Sequence, residues 1–300
     1  MRLFLAASTI LLACAAPLAA EPPAVASAPV TVGEQLTLRS AVLGEERHLA
    51  IYLPPSYAKG TKTYPVLYLI DGGVDQDFLH VSGTTSLNSI WGRSQEAIVV
   101  GIETIDRRKE LVGPTHSAEL LKQYPTAGHS ADFRRYIADE VIPLVEARYR
   151  TNGNRGVIGE SLAGLFIVET ALEQPDLFQH YAAISPSLWW DDGRLAFGAG
   201  DVLAKQGKAP KLYMAVGSEG PEMQAGFDRV VAALTALAPP SETGWCAVVR
   251  PDLRHSTTYH ALSPSALQFL FPVPSDEPPY EGFEPACSAA EKHARTLDGK

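Results

Sequence analysis

The chain has 300 residues, 46% of them hydrophobic and 20% charged, with a net charge of −9. That length and apolar content suit one large core and exclude a disordered chain, and the acidic balance argues against a nucleic-acid partner. Beyond the N-terminus no apolar run reaches about 18 residues, so no membrane-spanning segment is predicted.

The first 20 residues read as a signal peptide. Arg2 supplies the positive start, Leu3 to Leu12 the apolar stretch, and the small residues up to Ala20 a cleavage site near Ala20–Glu21. A periplasmic or secreted location is therefore expected. Leu11-Leu12-Ala13-Cys14 also resembles a lipoprotein box, which keeps open an anchor through Cys14. Residues 21–34 are rich in Pro, Ala and Val without a period and read as a flexible lead-in. Export leaves Cys246 and Cys287 in an oxidising compartment, either as one disulfide or as two buried thiols.

From residue 35 to 271 strand-like and helix-like runs alternate. Leu36–Leu43 and Arg47–Leu53 flank Gly44-Glu45-Glu46 as a hairpin. Tyr64–Ile70 is a continuous apolar run, the pattern of a fully buried parallel strand, and Glu96–Gly101 reads the same way. Ser130–Tyr149 has helical spacing, with Ser130 as its cap and Pro143 inside it, which should bend or split the helix. Arg155–Gly159 is a strand and Ser161–Leu172 a helix. Tyr181–Ser185, Lys211–Gly217 and Trp245–Pro251 are further strands, and Ser263–Phe271 is a last helix. This alternation predicts an α/β fold with a mostly parallel central sheet and helices on both faces. The Pro-rich, polar stretch 272–300 is expected to wrap the surface as a tail.

The chemistry is carried by Gly159-Glu160-Ser161-Leu162-Ala163-Gly164, which sits between a strand and a helix. A nucleophile elbow needs this context: a tight turn flanked by small residues lifts the serine hydroxyl above the sheet edge. Ala163 replaces the usual glycine and is still small. Ser161 is the predicted nucleophile. Leu162 N–H is the first oxyanion donor, and Gly73 N–H, or its neighbour Gly72, is the second, from the loop after Tyr64–Ile70. The acid and then the histidine must follow in the chain. Of the 8 histidines, His255 lies after the last strand and is the predicted base, with His260 as runner-up. Glu219, just past Lys211–Gly217, is the predicted acid, with Glu222, Asp191 and Asp192 as competitors. No cofactor is needed, and no clustered His/Cys ligand set for a metal is visible.

These residues, together with "YPVLYLIDGG", "AIVVGIETIDRR", "RRYIADEVIPLVEARYRT", "GESLAGLF" and "QPDLFQHYAAISPSLWWDD", resemble the esterase-D-like branch of the α/β-hydrolases, nearest to the siderophore (trilactone) esterases. The resemblance spans roughly residues 35–271. It implies a serine esterase acting through an acyl-enzyme on a small-molecule ester of aryl or siderophore type, with Ser161, His255 and Glu219 at its centre. Some members look like Ser–His dyads. Where many relatives carry histidine before the nucleophile this chain carries Glu160, which bears on the substrate. In that frame Ser187, Trp189 and Trp190 are candidate pocket walls or core fillers. Arg107 and Arg108 are candidates for an anionic substrate or for ion pairs with Asp106 or Glu103. Acetyl or feruloyl-type carbohydrate esters, acyl transfer and non-catalytic binding are the rival readings.

Overall fold

The computed structural model describes residues 25–240, 244–274, 282–283 and 285–287. The predicted signal peptide, Cys14 and most of the predicted tail lie outside the described residues. Residues 25–31 precede the unit that begins at Val32 and are exposed coil.

In chain order the strands are β1 (Glu34–Arg39), β2 (Glu46–Tyr52), β3 (Tyr64–Ile70), β4 (Ile98–Ile102), β5 (Thr151–Glu160), β6 (His180–Ile184), β7 (Leu212–Gly217) and β8 (Trp245–Arg250). They form one sheet in the order β1-β2-β4-β3-β5-β6-β7-β8. The β1–β2 hairpin is antiparallel and joins β4 antiparallel, while β3 to β8 are mutually parallel. All seven residues of β3 are buried, as expected of a strand covered on both faces.

Helices cover both faces. On one lie α1 (Phe78–Ile90) and α9 (His255–Leu270); on the other lie α4 (Ser130–Tyr136), α5 (Ile142–Arg148), α6 (Leu162–Glu173), α7 (Trp190–Gln206) and α8 (Pro221–Leu237). Two short helices, α2 (Arg107–Glu110) and α3 (Ala118–Gln123), follow β4. The predicted helix at Ser130–Tyr149 is not split by Pro143 but carries a π turn over Ile137–Val141 between α4 and α5, so Pro143 sits inside a continuous helical run just after that turn.

Two local expectations change. Ser130 is not the cap of α4 but its first residue, and its hydroxyl donates to Glu169 Oε1 at 2.9 Å. The last helix starts at His255, eight residues before the predicted Ser263. Thr257 Oγ1 accepts from Arg254 N–H at 3.0 Å and closes the N-terminus there, and Pro264 is carried inside the helix.

Cys246 of β8 and Cys287 form a disulfide, with Cα atoms 5.8 Å apart and a sequence separation of 41. The closure of a loop of that length stabilises the fold by roughly 3–4 kcal/mol through the unfolded chain. The Cys246→Ala/Cys287→Ala double variant is expected to melt roughly 6–12 °C lower than the oxidised protein in calorimetry. A midpoint equal to that of the oxidised protein would show that the bridge adds nothing.

Candidate active site

Ser161 stands between β5 and α6 with φ 61° and ψ −118°, a left-handed conformation that a non-glycine residue rarely adopts. Three backbone hydrogen bonds hold it there. Its N–H donates to Ile184 O at 3.0 Å, and its carbonyl accepts from Leu165 N–H at 2.9 Å and Ser187 N–H at 3.0 Å. The small neighbours are needed: a Cβ on Gly159 would lie 2.7 Å from Ala163 Cβ, and one on Gly164 would lie 2.9 Å from Ile184 O. Ala163 is therefore tolerated because Gly159 faces it. The side-chain oxygen of Ser161 hydrogen-bonds Ser187 Oγ at 3.3 Å.

The parallel sheet brings the other predicted residues to the same edge. Glu219 follows β7 and His255 opens α9 after β8. Glu219 Oε2 lies 2.6 Å from His255 Nδ1, with the glutamate side chain 2% exposed and the histidine 47% exposed. The other carboxylate oxygen, Oε1, accepts from Ser185 Oγ at 2.6 Å, Gly217 N–H at 2.8 Å and Thr258 Oγ1 at 3.1 Å. Glu219 is thus clamped on one side and aimed at the ring on the other. Ser185 and Thr258 escaped the sequence reading. Their only local signals are a serine two residues before the Ser187 position and a threonine one turn into the last helix.

The competitors are elsewhere. Glu222 is exposed at the start of α8. Asp191 accepts from Thr115 Oγ1 at 2.5 Å. His260 lies 3.3 Å from His80, nitrogen to nitrogen, with the two rings tilted 36° to each other.

Hydrogen bonding to Glu219 raises the His255 pKa above its ordinary value, against the effect of burial, and the nearby Glu160 charge adds to the rise. Burial pushes the Glu219 carboxyl up, but the bonds from His255, Ser185 and Gly217 outweigh it and hold it below the usual range. Glu160 is pushed up to about 7, chiefly by burial; His255 opposes the rise, while Asp77 and Glu219 add to it.

The oxyanion donors are placed differently from expectation. Leu162 is the first residue of α6, so its N–H has no acceptor within the helix. Gly72 N–H, by contrast, donates to Ile102 O at 2.8 Å, which makes it part of the sheet and removes it as a donor. Gly73 N–H donates to Gln76 Oε1 at 2.9 Å, and Gln76 is held in turn by Thr104. Gly73 can serve an oxyanion only if Gln76 gives up that bond.

Ser161, Ser187, Trp189, Glu219, Met223 and His255 line a cleft of about 590 Å³. Trp189 is 38% exposed there. Trp190 is not a wall of this cleft: it is 5% exposed, faces Tyr124, and lines a separate cavity. The backbone at the two tryptophans explains the divergence. Trp189 and Trp190 themselves have right-handed helical backbone, so as consecutive residues their side chains leave it about 100° apart. Arg107 does not line the cleft either, nor does it pair with Asp106 or Glu103. Its Nη2 lies 2.8 Å from Asp71 Oδ2, an ion pair beside the cleft. Arg108 rides over the Tyr124 ring at 4.7 Å.

A mostly parallel sheet covered by helices on both faces, with a serine lifted at the turn from β5 into α6, defines the α/β-hydrolase fold. A family model described as "Putative esterase" matches residues 40–242, and the chain belongs to that family. It is 33% identical over 168 residues to the ferri-bacillibactin esterase BesA of Bacillus subtilis, a match that covers 49% of this chain and 56% of BesA. The chain thus spans little more than half the length of that relative. Bacillus subtilis YbbA is 30% identical over 186 residues, 60% of this chain and 71% of YbbA. Among solved structures, an IroE-like serine hydrolase from Shewanella oneidensis superposes with a TM-score of 0.70 at 28% identity, covering 80% of each chain. The siderophore hydrolase EstB from Aspergillus nidulans, at 21% identity and TM-score 0.68, covers 85% of this chain and all of its own and shares the fold.

Proposed function

We propose that this protein is an exported serine ester hydrolase that works through an acyl-enzyme on small esters with an aromatic acyl part, of the siderophore type. One observation carries the reading: Ser161 in its strained turn and His255, paired with the buried Glu219 side chain, face one cleft. With Nδ1 committed to Glu219, Nε2 of His255 is the nitrogen left to take the Ser161 proton. Ser161 Oγ then attacks the ester carbonyl, and the oxyanion rests on Leu162 N–H and on Gly73 N–H once Gln76 has released it. The alcohol leaves with the proton from His255. Water, deprotonated by His255, attacks the acyl-enzyme and frees the acid and Ser161.

Membership of the esterase family and the likeness to a ferri-bacillibactin esterase support the ester class. The charged and apolar pattern of residues 1–20 supports export. Trp189 supports the aromatic acyl part, because a ring stacked on it gains roughly 0.5–1.5 kcal/mol beyond plain burial. The expected result is a kcat/KM severalfold higher for benzoyl or cinnamoyl esters than for acetate or butyrate esters of the same alcohol. Trp189→Ala should erase that preference and Trp190→Phe should leave it, since only Trp189 faces the cleft. Equal efficiency on both ester classes, unmoved by Trp189→Ala, would remove the aromatic reading.

A further inference from the structure

The loop that leaves β3 is closed by one side chain, Gln76. β3 pairs with β5 in parallel with Leu69 opposite Ile158, so the residues just after β3 emerge beside the turn that lifts Ser161. Gly73 and Gln76 close this loop twice. Gln76 N–H donates to Gly73 O at 2.9 Å, and Gly73 N–H donates to Gln76 Oε1 at 2.9 Å. An acceptor at that distance takes the place that an oxyanion would need at the same donor.

The Gln76 amide is held at both of its polar atoms. Oε1 also accepts from Thr104 N–H at 3.3 Å, and Nε2 donates to Thr104 O at 2.9 Å and to Thr104 Oγ1 at 3.2 Å. Thr104 is buried, and its hydroxyl donates to Asp71 Oδ1. Asp71 Oδ2 accepts in turn from Arg107 Nε at 2.9 Å. Arg107, Asp71 and Thr104 thus fix the amide that Gly73 meets. Release of Gly73 breaks one of the four amide bonds and leaves the three to Thr104 in place. The contact is close enough to need a glycine: a Cβ at Gly73 would lie 3.0 Å from Gln76 Oε1 and 3.2 Å from Glu103 Cγ.

We propose that Gln76 is a positioning residue for ester hydrolysis, which keeps Gly73 N–H engaged until the oxyanion of the tetrahedral intermediate competes for it. The proposal rests on the hydrolase reading above. The competition turns on charge. A neutral ester oxygen bonds an N–H no better than the Gln76 oxygen does, whereas an ionised acceptor bonds it about twice as strongly. The second donor is therefore won by the transition state, at the cost of the bond that the free enzyme makes to Gln76, and that cost lowers kcat/KM.

The test compares the wild type, Gln76→Ala and Gln76→Glu of the full exported chain by turnover of a benzoyl ester and by inhibition with phenylboronic acid. Ser161 Oγ adds to boron while its proton passes to His255, so the resulting anionic tetrahedral boronate offers an oxygen to the same donors. Gln76→Ala removes the competitor and should raise kcat/KM and tighten the boronate, each by about threefold to tenfold. Gln76→Glu puts a charged acceptor on Gly73 N–H and should lower both by about tenfold or more. In the wild type labelled with nitrogen-15, saturating boronate should shift the Gly73 amide signal more than that of Gly72, which stays bonded to Ile102 O. A side chain that only braced the loop would lower both variants together and leave Gly73 where it was. Either of those results, or an unchanged Gln76→Ala, would overturn the proposal, and the Gly73 signal decides it even if Gln76→Ala folds poorly. A wild type that neither turns over the ester nor takes a fluorophosphonate on Ser161 would instead remove the hydrolase reading, and this proposal with it.

Discussion

Ser161→Ala is expected to lower kcat for ester hydrolysis by about 10³-fold or more while the thermal midpoint stays near that of the wild type. The loss follows from chemistry: without the hydroxyl no acyl-enzyme can form, and only the oxyanion donors and substrate binding remain. The fold should survive because the turn is held by backbone hydrogen bonds to Ile184, Leu165 and Ser187 rather than by the side chain. Alanine adopts the same left-handed φ at similar cost, so the strain is neither relieved nor increased. The one side-chain bond lost is the 3.3 Å contact with Ser187 Oγ, which is long and part-buried. A fluorophosphonate should leave one adduct on Ser161 in the wild type, located by mass spectrometry, and none on the variant. Wild-type turnover in Ser161→Ala, or an adduct placed elsewhere, would remove the serine mechanism; an unlabelled wild type would point to a binding protein.

His255→Ala should be nearly as damaging as the serine change, and Glu219→Gln milder by about tenfold to a hundredfold, because the acid acts only through the histidine. The pH dependence separates the roles. The base must be neutral to accept the Ser161 proton, so kcat/KM rises with pH as His255 loses its own. Glu219 and, more weakly, Glu160 stabilise the charged ring, so its pKa in the protein is above the ordinary value. The acid limb of kcat/KM should therefore fall above about pH 6.5. Glu219→Gln removes the main cause of that rise and should move the limb to lower pH; Glu160→Gln should move it the same way by less. A merely structural glutamate would change the height of the profile and leave the limb where it is. If His260→Ala abolished activity and His255→Ala spared it, the base would be misassigned, against the position of His260 beside His80.

Much of this site was legible in the chain before folding. The elbow is a local object. A strand, a glycine, a serine and two small residues must run into a helix within a few positions, and the sterics that demand Gly159 and Gly164 act between neighbours in sequence or across a single turn. The parallel core strands announce themselves because burial on both faces admits only apolar residues, as in Tyr64–Ile70. The order serine, acid, histidine then narrows Glu219 and His255 to the ends of the later strands. The pairing of Cys246 with Cys287 stood as one of two readings from the count and the expected compartment, and the fold resolves it as a bridge.

What only the tertiary structure decided is which of several capable groups finds which partner. Glu219 rather than Glu222 meets His255 because Ser185 from β6 and Thr258 from α9 hold its other oxygen, contacts made across 34 and 39 residues. Gly72 and Gly73 look alike in sequence, yet Ile102 takes the N–H of one and Gln76 that of the other. Trp189 and Trp190 are adjacent, and the helical turn that carries them points one ring to the Ser161 cleft and the other to a separate cavity. Arg107 had carboxylates near it in sequence and chose Asp71, 36 residues away. Backbone preference and hydrophobic period act over a few residues and so can be read along the chain. A side chain's partner is set by orientation and by competition among groups brought together from distant strands, and that exists only once the sheet has formed.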